Sequence, residues 1–367
     1  MSLRVRPAEA SDNPGILSLL AGNPQPGAIR LAFERSPDYF HGAGVSCETP
    51  AVHVVEPEGE RGQGRVLGVF NVGARTLFVN GRPQPVRYAH DLRLDPSVRG
   101  GKALKACYDQ AYASRARQEP MQAVILADNA PYLASVSRGR PGMPGFYPTG
   151  DIETSLITGR RSGRRGPSTG LTIRRAESGD GERLQSFLDD EGSRRQFCPR
   201  YSVAALEGGD AYYRGLSLTD YWLALDGDRI EGVVGVWDQK AFRQSRVVGY
   251  HPAVRAARPF YNAWSRLTGG MRLPPAGSCF QYLVLHTVLI RQHRAAVLEP
   301  LLDTLLEHYR PAYDALVAGF FQSDPLAGVP AQYRRRVLRS RHFLMGWDED
   351  PSGALDDRIP YAEVARL

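Results

Sequence analysis

The stretch 88–107, YAHDLRLDPSVRGGKALKAC, holds the densest set of groups in the chain that can do chemistry. Tyr88, His90 and Asp91 stand shortly before the paired glycines Gly100 and Gly101, which Arg99 and Lys102 flank. Glycines let backbone N–H groups approach a ligand closely, and a helix N-terminus adds partial positive charge. With two cationic side chains beside them, they suit a pyrophosphate. Histidine titrates near neutral pH and suits proton transfer. A P-loop is excluded: it requires a glycine five residues before the Gly-Lys pair and a hydroxyl after it, and Pro96 and Ala103 stand there. No GxGxxG follows a strand, and no GxSxG, HExxH or close His/Cys cluster occurs, so no metal site is expected.

These residues need elements to hold them. A strand near 85–95 ends at Leu94, Pro96 turns the chain, and a helix over 101–118 carries Ala103, Leu104, Cys107, Tyr108 and Ala111 at helical spacing. Alternation along the strand predicts Tyr88, His90, Leu92 and Leu94 on one face, with Asp91 on the other in a structural role. The run Ala123–Ala127 predicts a buried strand, and Asn129 opens a short helix. Upstream, a strand near 3–8, helices near 13–22 and 27–36, and strands near 51–56 and 65–79 are expected, with strands near 146–157 closing the unit.

A repeat fixes the larger organisation. Leu3, Arg6, Ala8, Glu9 and Asp12 recur at an offset of 168 as Leu171, Arg174, Ala176, Glu177 and Asp180. A second echo follows, Val66-Leu67-Gly68-Val69-Phe70 against Ile230-Glu231-Gly232-Val233-Val234, and two echoes in one order imply duplication. Residues 159–170, GRRSGRRGPSTG, have no hydrophobic side chain and read as a basic linker. The domains are therefore expected at 1–158 and 171–350, with a tail at 351–367. The length of 367 residues suits two domains, and 42% apolar with 23% charged residues suits globular ones. No apolar run reaches the ~18 residues of a membrane span, and no secretory leader is visible. The four cysteines form no CxxC pair, which fits a reducing compartment. The net charge of +7 favours acidic ligands such as phosphates. The basic stretch Arg334–Arg336 with Arg339 and Arg341 is expected on a helix face before a final strand, and neither basic stretch interleaves aromatics for base stacking.

The order of strand, LRLDP, VRGGKA, amphipathic helix, apolar strand and Asn129 resembles the Gcn5-related N-acetyltransferases. The whole chain resembles tandem acetyltransferases with two such domains fused. The family's loop reads Arg/Gln-x-x-Gly-x-Gly/Ala; Gly101-x-Ala103 matches its second half, while Arg99 sits one residue too close. The resemblance covers residues 3–157 in element order. It implies an α/β fold with a mixed (α+β) sheet in two tandem domains. The strand at 88–95 would splay from the strand at 123–128, and acyl-coenzyme A would enter the gap. Leu92, Arg93 and Leu94 would offer backbone to the pantetheine. Arg99, Gly100, Gly101, Lys102, Ala103 and Leu104 would take the pyrophosphate, and Asn129 a further contact. The family's base or its water relay matches Tyr88 or His90. Its acid, a tyrosine seven residues after the asparagine, is replaced here by Val136, and Tyr132 and Tyr147 are the substitutes by position.

The second copy lacks this equipment. Its turn reads Arg291-Gln292-His293-Arg294-Ala295-Ala296, without glycine, before a helix with Val297, Leu298, Leu301, Leu302, Leu305 and Leu306 on one face. It is expected to serve structure or acceptor binding. The segment 252–274, with Phe260, Tyr261 and Trp264, reads as a helix packed on the core, with a wall of an acceptor cleft as the alternative. The expected protein is a cytoplasmic N-acetyltransferase using acetyl-CoA, acting on a small-molecule or peptide amine, without membrane or nucleic-acid partners. A non-catalytic acyl-coenzyme A-binding scaffold, and an aminoacyl or long-chain acyl transferase of paired domains, are the alternatives.

Overall fold

The repeated LxxRxAExxD motif is a staple that fixes the chain between a strand and the following helix. In the computed structural model, which describes residues 2–25, 27–59, 65–114, 119–137, 139, 142–161 and 170–367, Arg6 grips Asp12 with two nitrogens at 2.7 and 2.8 Å. Arg174 grips Asp180 in the same way at 2.6 and 2.9 Å. Each aspartate also accepts the backbone N–H of Glu9 or Glu177 at 2.8 Å, which closes the first helical turn. Both aspartates are buried, so the pairs are bidentate and shielded from water.

The first half runs β1 (Leu3–Pro7), α1 (Asn13–Ala21), β2 (Ile29–Glu34), α2 (Tyr39–Ser46), β3 (Val52–Pro57), β4 (Gly68–Val79), β5 (Arg82–Leu94), α3 (Gly101–Ala113), β6 (Met121–Leu126), α4 (Ala130–Ser137) and β7 (Gly145–Arg160). The second half repeats that order, with β12 and α7 inserted and no α-helix in the place of α4, as β8 (Thr172–Arg175), α5 (Gly181–Ser193), β9 (Cys198–Pro199), α6 (Val203–Glu207), β10 (Tyr221–Asp226), β11 (Arg229–Trp237), β12 (Gln244–Tyr250), α7 (Pro252–Thr268), β13 (Tyr282–Ile290), α8 (Ala295–Tyr309), β14 (Ala315–Phe321) and β15 (Tyr333–Gly346). The second echo is also explained. A Cβ on Gly68 would press on Leu94 at 2.7 Å, and one on Gly232 on Ile290 at 2.7 Å. In each half a glycine makes room for the last residue of the facing strand.

The two halves share one mixed sheet of order β1-β3-β4-β5-β6-β15-β7-β14-β13-β11-β10-β8, with β9 on β4. β15 lies between β6 and β7, pairing Met121–Leu126 on one edge and nearly all of β7 on the other. β7 in turn fills the place beside β14. Each half is thus completed by the other's last strand, and strands 146–157 do not close their own unit as expected. The expected linker also shortens. β7 continues through Arg160, whose guanidinium binds Asp303 at 2.7 Å and Glu299 at 3.1 Å, while residues 162–169 lie outside the described set.

Other expectations change for the same long-range reason. The segment 27–36 is not a helix: Ile29–Glu34 is β2, paired antiparallel with β12 of the other half. The arginines at 334–341 lie on β15 itself, where Arg335 and Arg339 reach Glu153 and Arg341 reaches Asp151 on the neighbouring strand. The expected tail at 351–367 is packed on the body: Ala354 and Asp356 bond Asn80, and residues 361–364 lie against β13 and β14, as described below. Because the sheet is continuous and exchanged, we expect a single calorimetric unfolding transition for the whole chain. Two separated transitions would contradict the exchange. A chain ending before β15 should lose the ordered first half as well, because β6 and β7 lose the strand between them.

Candidate active site

β5 and β6 run parallel but pair only over Arg87–Ala89 with Met121–Ala123, among the described residues. Beyond Ala89 they part. The break coincides with a bulge in β5: Asn71 faces His90 and Val69 faces Arg93, so Asp91 and Leu92 together oppose Phe70. Asp91 takes a left-handed φ of 54°, a conformation aspartate tolerates better than most side chains. A cleft with about 390 Å³ of atom-free space opens there, lined by Ala89, His90 and Leu92 on one side and by Ala123 and Met345 on the other. Cys107, Tyr108 and Ala111 of α3, with Tyr132 and Phe146, complete it.

The bulge corrects the predicted strand faces. Leu92 and Leu94 pack with Ala89 against the α3 side, in the cluster of Cys107, Tyr108 and Ala111. Tyr88 and His90 stack on each other, with centroids 4.7 Å apart, on the opposite side. Asp91 joins them rather than pointing away: its Oδ2 lies 3.6 Å from His90 Nδ1, an electrostatic contact longer than a hydrogen bond. Asp91 also takes Arg35 at 3.2 Å, and Tyr39 Oη lies 3.5 Å from it. The extra residue of the bulge breaks the period of two on which the predicted faces rested.

The electrostatics follow from burial. Burial pushes the His90 imidazole below its ordinary value, against the opposing pull of Asp91, so the ring is neutral and holds a lone pair at physiological pH. Burial alone would raise Asp91, but the Arg35 guanidinium and His90 outweigh it and hold the carboxyl well below its usual range. His90 Nε2 lies 3.8 Å from Cys47 Sγ, whose thiol burial pushes up to about 12. Burial raises the Tyr88 phenol too. Arg243 reaches this pocket from the second half, donating to Ser46 Oγ and, at 2.8 Å, to the Ala365 carbonyl. Burial first, then the like charge of Arg35, brings it down to about 10.

The remaining predicted residues fall at the two ends of the cleft. Asp95 caps the turn that leads to the glycines by accepting Ser97 N–H at 2.9 Å. Gly100 has φ 153°, and a Cβ there would meet nothing within 4 Å, so the loop faces open space. α3 starts at Gly101, with Lys102 exposed, Ala103 buried and Leu104 donating its N–H to the Gly100 carbonyl at 3.2 Å. Arg99 lies along the loop, bound to the Leu94 carbonyl at 3.2 Å and to Asn23. Arg93 turns back on the Leu92 carbonyl at 3.0 Å. Asn129 is exposed just before α4 and takes Tyr132 N–H on its carbonyl at 3.1 Å. Tyr132 Oη meets Tyr108 Oη at 2.5 Å inside the cleft, and burial raises its phenol. Tyr147 does not line this cleft; its ring lies against Gly145 and Gly346. Val136 lines an adjoining cleft with Leu104 and Met143.

The second half repeats the geometry and closes it. β13 is bulged at Thr287, φ 52°, with Gly235 facing His286 and Val233 facing Leu289. His286-Thr287 therefore stands where His90-Asp91 stands in the first half. Here the chain's own last residues occupy the parted strands. Glu363 accepts Thr287 N–H at 2.8 Å and Tyr361 Oη accepts Val288 N–H at 2.9 Å. Gly319 of β14 admits Val364, because a Cβ there would collide with it. The helices differ in the same sense. α8 presents fully buried Leu298, Leu301, Leu302 and Leu305, where α3 presents Leu104, Cys107, Tyr108 and Ala111. Each buried leucine contributes about 2 kcal/mol of burial and fills space that α3 leaves open. We expect one coenzyme A per chain by titration calorimetry; a stoichiometry of two would show that the last residues yield to ligand.

Two features escaped the sequence reading: the Asp91–Arg35 pair with Arg243 behind it, and the His90/His286 correspondence. The latter carried a signal, AHDL against LHTV, shifted out of the 168-residue register by the inserted β12–α7 segment. Of the two readings of 252–274, packing on the core holds for one face of α7, through Val254 and Tyr261, while Phe260 and Trp264 are exposed and line no part of this cleft.

Five strands, a bulged and splayed pair, a turn and a following helix, twice over, with glycines at the turn in the first half alone, are the fold of the Gcn5-related N-acetyltransferases in tandem. No family model and no curated protein matches the chain in sequence. Among solved structures it is similar to a Saccharomyces cerevisiae N-myristoyltransferase with bound myristoyl-CoA and inhibitors, at 10% identity and a TM-score of 0.60, over 99% of this chain and 86% of that one. It is similar also to a GCN5-related N-acetyltransferase from Anabaena variabilis, at 11% identity and a TM-score of 0.51, over 94% and 72%. A probable N-acyltransferase from Enterococcus faecalis aligns at 10% identity and a TM-score of 0.52, over 94% and 72%.

Proposed function

We propose that the first half transfers an acyl group, in the simplest case acetyl, from acyl-coenzyme A to an amine. The observation that carries this reading is the cleft where β5 and β6 part, open in the first half and ending on neutral His90, while its counterpart is filled by residues 361–364. The residues present fit the cofactor. The loop at Gly100 and the start of α3 offer N–H groups to open space, with Arg99 and Lys102 beside them. No β6 residue pairs with Leu92–Leu94, so this edge can bond an extended chain as a strand would, in place of the Arg93 and Arg99 side chains that now hold the Leu92 and Leu94 carbonyls.

In this reading the amine nitrogen attacks the thioester carbonyl and loses its proton to Nε2 of His90, while Asp91 favours the proton on Nδ1 and steadies the imidazolium that forms. The carbon–sulfur bond breaks, and the departing sulfur takes a proton. Tyr132, protonated and held by Tyr108, is the donor in the cleft. Tyr88 acts by stacking on His90. The acceptor is a small-molecule or peptide amine.

The test is free-thiol release from acetyl-, octanoyl- and myristoyl-coenzyme A against a panel of amines and peptide N-termini. Amine-dependent release is expected. Tight acyl-coenzyme A binding with no release on any acceptor would make the protein a binding scaffold. Release confined to myristoyl-coenzyme A would make it a long-chain transferase.

A further inference from the structure

The second half carries an insertion that the cleft does not use. α7 is held to the body by one face: Val254 and Tyr261 pack on Val247, Met271, Leu273 and Phe280. Asn262 exchanges two hydrogen bonds with the backbone of Leu273, at 2.8 and 2.9 Å. Ser265 is buried. Its other face is apolar and uncovered among the described residues. Phe260 is 80% exposed, Trp264 65% and Leu267 84%, three large side chains at positions i, i+4 and i+7 of one helix. Exposed apolar residues scattered singly need no explanation, but three aligned on one helix stripe mark a contact surface.

The charges carried by α7 have one sign: Arg255, Arg258 and Arg266. From residue 239 to residue 298 the chain holds no aspartate or glutamate. Arg255 and Arg266 are exposed on α7 itself. From β15, Arg334 donates to the Thr268 carbonyl, and Arg336 reaches Tyr261 Oη at 3.3 Å. A second copy of this chain would bring arginines against arginines, so self-association on this face is disfavoured electrostatically. An apolar stripe of Phe, Trp and Leu bordered by arginines instead matches the interface of an anionic bilayer. There the rings enter the headgroup boundary and the guanidinium groups meet lipid phosphates.

We propose that α7 docks the protein on the surface of anionic membranes, lying in the plane of the interface without crossing it. No helix among the described residues is long and apolar enough to span. This departs from the expectation of no membrane partner, which rested on spanning segments and leaders. It is independent of the reading of the cleft.

The test is co-sedimentation of the full chain with vesicles of phosphatidylcholine alone and of phosphatidylcholine mixed with phosphatidylglycerol. Binding to the mixed vesicles alone is expected, and it should weaken as salt is raised. Arg255→Ala with Arg266→Ala should lower the partition coefficient about fivefold per arginine, at roughly 1 kcal/mol each. Phe260→Ser with Trp264→Ser and Leu267→Ser should abolish it. Because these side chains are exposed, both variants should keep the wild-type circular dichroism and coenzyme A affinity, which separates docking from folding. The conservative Trp264→Phe should retain binding. The proposal is overturned if wild-type protein stays in the supernatant with mixed vesicles, or if neutral vesicles bind it equally. It is overturned too if the triple serine variant converts a dimer to a monomer without changing vesicle binding, which would assign the face to a second copy.

Discussion

Gly101→Glu is expected to weaken coenzyme A binding by about a hundredfold or more while leaving the protein folded. The carboxylate would stand at the first position of α3, among the N–H groups we assign to the pyrophosphate. Two like charges about 4 Å apart near a protein surface repel by roughly 4 kcal/mol, more than enough for that loss. The same carboxylate at a helix N-terminus favours the helix by about 0.3–1 kcal/mol, so stability and affinity should move in opposite directions. Calorimetric titration with coenzyme A and a thermal melt of the same variant read the two effects. Unchanged affinity in a folded variant would remove the loop from the cofactor site.

His90→Ala should lower turnover by about 10²–10⁴-fold, the usual loss for a positioned base. Coenzyme A affinity should change little, since the loop and the Leu92–Leu94 edge remain. The pH dependence supplies the sign. Burial lowers the His90 pKa, so the neutral, active form persists below pH 6.5, and the acidic limb of the wild-type rate profile should lie there. Asp91 raises that pKa, so Asp91→Asn should shift the limb further towards acid and reduce turnover, whereas His90→Ala should flatten it. A His90→Ala variant with near-full turnover on its acceptor would leave His90 a core histidine.

Much of this site can be read without coordinates, because its parts are local. The glycine turn, the helix after it, the apolar run at 123–127 and the loss of glycine at 291–296 lie within short windows, where spacing reports structure. What escaped is set by residues far apart in the chain. Ile29–Glu34 reads as readily as a helix as a strand, and its partner β12, some two hundred residues away, decides the matter. The bulge at Asp91 depends on register with β4, so strict alternation placed Asp91 on the wrong side and Leu92 beside His90. Arg243 joins the His90 pocket from the other half, and no pattern around either residue announces it.

The traded strands also bear on how such a chain can change over time. A duplication that leaves two independent domains can be undone, because deleting one copy returns a working ancestor. Here β15 sits beside β6 of the first half and β7 beside β14 of the second, so excising either copy tears a strand from the survivor. The second copy has lost its glycine turn and its gap is closed, yet it cannot be discarded. Held in the sheet with its gap filled, it carries the β12–α7 insertion, for which its partner has no counterpart.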